Sequence, residues 1–276
     1  MRSLLRRLTW LLHWTLGSAP RDPAEEVWRL RFLLARPRRQ CGIIIWRGQP
    51  LQYADGPALY GQLQDIFVKR VYDFRTTAAA PRIIDCGAHV GVAVLRWRET
   101  HPLADITAIE ADPAIADFLR RNLTGRSDQT TTVIAAAAWV ANTTVNFNVT
   151  GEDNGHIHAE GTRQILGCDL AEHCRKPVDL LKLDIEGAEE AVLTHLADSG
   201  ALRQVRRLVC EWHQWTPEAP GLHLILDRLV RAGFVYRLVE AHCLGGEAAP
   251  DFPQLAWPGN HLMLYAWQRN ISPLPT

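Results

Sequence analysis

From Pro81 onward, short apolar runs alternate with stretches in which apolar residues return every three or four positions. The runs predict strands at Arg82–Asp85, Ile106–Glu110, Thr132–Ala137, Val178–Asp184, Arg207–Glu211, Val235–Glu240 and His261–Trp267, with a local strand within Asn142–Val149. The 3.6-residue pattern predicts helices at Val92–Glu99, Pro113–Asn122, Ala188–Ser199 and Leu222–Ala232. Strands that alternate with helices build a doubly wound, mostly parallel α/β sheet covered on both faces. Residues 81–276 are therefore read as one α/β domain.

Residues 1–80 follow a different pattern and are expected to form a helical cap or extension. Leu4, Leu8, Leu11 and Leu12 share one face of an amphipathic helix, with Arg2, Arg6, Thr9 and His13 on the other. Such a helix docks on the body or on a second copy of the chain as a homodimer. The flanking Trp10 and Trp14 also allow weak contact with a membrane surface through residues 1–16. Asp22 before Pro23 starts a second helix that stops before Pro37, GIIIWRG reads as a short strand, and a third helix follows Gly56-Pro57.

Composition narrows the function. The 276 residues are 47% hydrophobic and 22% charged with a formal net charge of +0, which suits a folded core. Nine arginines before residue 41 stand against Asp22, Glu25 and Glu26, so the remainder carries about minus six and lacks the basic surface a nucleic-acid partner demands. The six cysteines form no CxxC pair, and no apolar run approaches the roughly 18 residues of a membrane span. A signal peptide is disfavoured because His13 interrupts the apolar stretch and Pro20 follows its small-residue site. A cytoplasmic protein with reduced thiols is expected.

Three segments carry chemistry. In RIIDCGAHVGVAVL a buried strand ends at Asp85, and Gly87 and Gly91 occupy the turn into the next helix, where backbone N–H groups approach a ligand. AIEADP places Glu110 at the end of the following strand, 25 residues after Asp85, where a carboxylate in a βαβ unit can accept both hydroxyls of a ribose. Asp112 before Pro113 reads as a helix N-cap. The loop lacks the G-x-G-x-x-G of a dinucleotide fold and favours S-adenosylmethionine, which has no phosphate, over NAD.

In VDLLKLDIEGAEEAVL, Lys182 interrupts an apolar strand and Asp184, Glu186 and Glu189 crowd its C-terminal end. A strand-interior lysine is costly unless it finds a carboxylate. RLVCEWHQW adds Glu211 and, two residues on, His213, which lies beside Asp184 if the two strands pair. His213 is the first expected general base and Asp184 the second. Alternatively Asp184 with Glu211 or His213 holds one Mg²⁺, although no metal is the primary expectation. His156 and His158 have ligand-like spacing without a clear third ligand.

These segments, in this order, resemble the FkbM-type family of S-adenosylmethionine-dependent methyltransferases, with LLKLDIEGAE the most specific string. The resemblance implies a Rossmann-like class I methyltransferase fold with a seven-stranded sheet. It implies a cofactor site at Asp85, Gly87, Ala88, His89, Gly91, Glu110 and Ala111, with Lys182, Asp184, Glu186 and His213 facing the transferred methyl. His89 departs from the asparagine usual in that loop. The implied reaction is O-methylation of a hydroxyl on a sugar, glycan or secondary metabolite. A nicotinamide-dependent oxidoreductase and a non-catalytic membrane-surface adaptor are the rival readings.

Overall fold

The computed structural model describes residues 22–124, 130–148, 156–157, 161–214, 221–243, 247–249, 252–257 and 260–269. The amphipathic segment 1–16 and His158 lie outside the described residues.

The chain enters through helix α1 (Pro23–Arg29), capped by the Asp22 side chain on the Ala24 N–H. Strands β1 (Gly42–Trp46) and β2 (Gln49–Tyr53) form an antiparallel hairpin. Its two-residue turn puts Arg47 and Gly48 at φ 51° and 79°, the left-handed pair that a tight hairpin needs. Only β1 was legible in the apolar pattern; β2 carries Pro50 and two glutamines, which an edge strand tolerates. Helix α2 (Gly56–Leu63) starts from the Asp55 cap, runs on as a wider turn over Gln64–Lys69 and ends at left-handed Arg70.

The central sheet then assembles from β3 (Arg82–Cys86), helix α3 (Val92–Thr100), β4 (Asp105–Glu110), helix α4 (Pro113–Thr124) and β5 (Thr131–Ala135). The predicted strand Thr132–Ala137 is divided. After Ala135 the chain leaves the sheet, and β6 (Ala137–Trp139) joins β7 (Thr144–Asn148), β8 (His156–Ile157) and β9 (Arg163–Asp169) in a separate four-stranded sheet. A short helix α5 (Leu170–His173) leads to β10 (Leu180–Leu183), helix α6 (Glu189–Asp198), β11 (Arg207–Gln214), helix α7 (Leu222–Arg231) and β12 (Phe234–Cys243). A hairpin of β13 (Glu247–Ala249) and β14 (Phe252–Trp257) precedes β15 (Asn260–Gln268).

The seven strands stand in the order β12-β15-β11-β10-β3-β4-β5, parallel except for β15, which runs antiparallel to both neighbours. Alternation decides the two faces. Ile83, Leu180 and Val209 point into a core shared with α3, α4 and the buried Val27, Leu51, Leu63 and Phe67 of the N-terminal elements. Ile84, Leu181 and Cys210 point into the opposite core with α6 and α7. Among the described residues no helix is long and apolar enough to cross a membrane. Cys86, Cys168, Cys174 and Cys210 are buried free thiols, and Cys41 is an exposed one.

Chain order runs outward from β3 through β4 to β5, and in the other direction from β10 to β11. The two directions part between β3 and β10. At such a switch point the loops after neighbouring strands diverge and leave a crevice at the strand ends.

Candidate active site

Asp85 lies near the end of β3 and Asp184 follows β10, so the paired register Lys182↔Asp85 brings the two acids to one crevice. Between them stands Lys182. Its ammonium lies 3.2 Å from Asp85 Oδ1 and 3.2 Å from Asp184 Oδ2, and it donates to the Gly87 carbonyl at 2.6 Å. Burial alone would lower the Lys182 pKa, but Asp184 and Asp85 hold it well above the ordinary lysine range. Lys182 is thus a buried strut that ties the loops after β3 and β10 together, which explains why a charge interrupts this strand.

The glycines act in the same joint. A Cβ on Gly87, whose φ is 77°, would meet the Asp184 carbonyl oxygen at 1.8 Å, and one on Gly91 would meet Leu119 Cδ1 at 2.5 Å. A side chain at either position would strike protein: Gly87 lets one loop touch the other, and Gly91 seats the start of α3 on α4.

Glu110 closes β4 and accepts from the His89 N–H at 2.8 Å and the Asp112 N–H at 2.9 Å, one on each carboxylate oxygen. Each oxygen keeps a further lone pair. Burial pushes the Glu110 pKa up to about 7, only partly offset by those two bonds. Ala111 follows it, and Asp112 caps α4 through the Ala114 N–H at 2.8 Å. His89, at φ 48°, turns its Nδ1 to Gln62 Nε2 of α2 at 2.7 Å. Ala88 is buried beneath this turn.

Across the crevice, β11 lies beside β10 with Leu183 opposite Cys210, so Glu211 and His213 reach the Asp184 side as the strand pairing required. His213 Nδ1 lies 3.0 Å from Glu189 Oε1, while Nε2 faces Glu186 Oε2 at 3.6 Å and Asp184 Oδ1 at 4.0 Å. Burial would lower its pKa; Glu189 first, then Glu186 and Asp184, drive it up to about 10. His213, read from sequence as the first-choice base, is enclosed by carboxylates. Against its own burial, Asp184 is held below the ordinary carboxylate range by Lys182 and His213.

Tyr72 had no sequence signal, and Glu189 was marked only as one of the acids crowding the end of β10. Tyr72, in the loop after the wide helical turn, donates to Glu211 and also reaches Asp184 Oδ2 at 3.4 Å. Glu189 accepts from the Ile185 and Gly187 N–H groups at 3.0 and 2.8 Å, so it fixes the turn carrying Glu186 and orients His213. Every described candidate site residue of the sequence except His156 therefore gathers along the C-terminal edge of β3, β4, β10 and β11.

The model of the methyltransferase FkbM domain matches residues 85–236. The curated protein "Methyltransferase sdnD" of Sordaria araneosa is 26% identical over 208 residues, which span 59% of this chain and 78% of that protein. Among solved structures, a methyltransferase FkbM from Methylobacillus flagellatus is 14% identical with a TM-score of 0.48, covering 88% of this chain and 59% of that one. An M. jannaschii TYW2 solved with AdoMet is 11% identical with a TM-score of 0.45, covering 84% and 87%.

Proposed function

Given that the chain belongs to the FkbM methyltransferase family, we propose that it transfers a methyl group from S-adenosylmethionine to a hydroxyl of a sugar, glycan or secondary metabolite. The residues present fit that cofactor. Glu110 has lone pairs to spare for two ribose hydroxyls, and Asp85, fully buried and paired with Lys182, anchors the loop that leads to it. Asp85, the 87–91 loop, Glu110 and Ala111 would hold the cofactor. When bound, it supplies an electrophilic methyl on a sulfonium and leaves as a neutral thioether.

The protein's own task is to place the acceptor oxygen behind that methyl and to take its proton. Asp184 suits the second role by position: its side chain is 25% exposed at the crevice, against 1% for His213. As the O–CH₃ bond forms, the hydroxyl proton passes to the Asp184 carboxylate, while His213 and Lys182 steady it from behind. The observation that carries the O-methyl reading is this accessible carboxylate at the crevice, which has an oxygen free to accept the proton that a hydroxyl must lose. Incubation with methyl-labelled S-adenosylmethionine and a panel of hydroxylated and aminated acceptors tests it. Label on oxygen supports the reading; label confined to nitrogen or carbon overturns it.

Glu110 makes cofactor binding proton-linked. Only the ionised carboxylate can accept both ribose hydroxyls beside its two backbone bonds, and burial has raised its pKa from 4.5 to about 7. Affinity should therefore fall as pH drops through 7, being about tenfold weaker at pH 6 than at pH 8. Calorimetry at the two pH values decides; equal affinities would detach Glu110 from the ribose.

A further inference from the structure

We infer that Asp184, Glu186 and His213 form a binding site for one divalent cation of the Mg²⁺ or Mn²⁺ class, open on the acceptor side; this rests on the methyltransferase reading of the crevice. Each of the three offers a ligand atom, and these atoms lie within 4.8 Å of one another. They come from three separate backbone positions: the end of β10, the turn before α6, and β11. Adjacent ligands on a cation bound at about 2.1 Å stand roughly 3 Å apart. The 3.6 Å and 4.0 Å separations from His213 Nε2 therefore close on an ion with side-chain shifts of about an ångström.

Three features single this cluster out from a chance gathering of acids. The first is His213, whose Nδ1 is engaged by Glu189 Oε1 at 3.0 Å, leaving Nε2 aimed at the two carboxylates. A carboxylate behind a histidine in this way fixes the ring and its tautomer, as it does in the carboxylate–histidine–metal relay. Glu189 is itself held by two backbone N–H groups, so the relay is anchored in the fold.

The second is the backbone of Glu186, at φ 56°, a left-handed conformation that a glutamate does not adopt without cost. That conformation swings its carboxylate toward His213 instead of outward along the helix start. The third is a gradient of access, from His213 at 1% through Glu186 at 13% to Asp184 at 25% side-chain exposure. An ion seated there is backed by imidazole and presents its remaining positions to the crevice, the arrangement of a catalytic site with open coordination.

Charge points the same way. Asp184, Glu186 and Glu189 all present carboxylates to the His213 ring, and Asp85 and Asp184 share Lys182. Two carboxylates and one imidazole suit Mg²⁺ and Mn²⁺ better than a thiolate-seeking metal. Glu211, an alternative ligand in the sequence, is turned instead to the Tyr72 hydroxyl. A cation bound here would polarise an acceptor hydroxyl and ease loss of its proton to a neighbouring carboxylate.

The test is Mn²⁺ binding to the EDTA-stripped full chain, followed by the loss of the free-ion EPR signal, with and without S-adenosylmethionine. One ion per chain is expected in both conditions, weakened at least tenfold in Glu186→Gln and by about 10–100-fold in Glu189→Gln. Glu186→Gln lies on a partly exposed turn and keeps the assay readable if Glu189→Gln fails to fold. Absence of saturable Mn²⁺ binding, or stoichiometric binding unchanged in Glu186→Gln, overturns the site. Calorimetry of S-adenosylmethionine on the same samples separates the two levels: cofactor binding without Mn²⁺ binding removes the cation alone, and loss of cofactor binding removes the reading on which it rests.

Discussion

Lys182→Met will lose stability on a scale that few single substitutions reach. The methionine fills nearly the same volume in β10, but Asp85, fully buried, and Asp184 are left facing each other without the ammonium between them. Breaking a buried ion pair from one side costs about 3–5 kcal/mol, because the stranded charge stays desolvated. In a chain of this size that lowers Tm by roughly 6–20 °C. The Gly87 carbonyl also loses its 2.6 Å donor, so the two loops should loosen together. Adding Asp85→Asn to Lys182→Met should recover part of the loss by removing the stranded charge. Thermal unfolding checks both variants. A Tm within 2 °C of wild type for Lys182→Met would show that the strut carries little of the fold.

Asp184→Asn is expected to have the largest effect on turnover, lowering it by about 10²- to 10⁴-fold, the range for a lost proton acceptor. The substitution keeps the shape and a hydrogen-bonding oxygen toward Lys182, so the fold should tolerate it better than loss of the lysine. His213→Gln should slow the reaction by a route that passes through Asp184 and Glu186, since its own ring does not reach the crevice surface. The double variant should then be less impaired than the product of the single effects. Affinity for S-adenosylmethionine, measured separately, should stay within about twofold in all three. Multiplicative losses, or a cofactor affinity that falls in step with turnover, would contradict this division between cofactor and acceptor sides.

The sheet and the site were legible to different degrees, for physical reasons. Strands β3, β10 and β11 are buried on both faces, so IIDC, LLKL and LVC stood out as continuous apolar runs, and the acids at their ends marked the crevice. Strand β2 was hidden because its only strongly apolar positions are Leu51 and Tyr53 beside a proline. The break at Ala136, where the chain changes sheets, falls in a run of four alanines that gives no periodic cue. Within the site, the sequence pointed to Asp85, Glu110, Lys182, Asp184, Glu186, Glu189, Glu211 and His213, but not to Tyr72. The Tyr72 hydroxyl comes to Glu211 from 139 residues away in sequence, a contact set by tertiary packing alone. The surroundings of His213 also depended on tertiary context: its ring is flanked by Glu189, Glu186 and Asp184 together, which no spacing in the sequence shows.

The central claim is that the crevice between β3 and β10 holds S-adenosylmethionine with Glu110 on its ribose. Calorimetric titration of that cofactor into the full chain at pH 8 tests it most directly. One molecule should bind per chain, and Glu110→Ala should weaken binding by about 1–3 kcal/mol, the cost of removing a buried acceptor from its donors. No saturable binding, or an unchanged affinity in Glu110→Ala, would contradict the account.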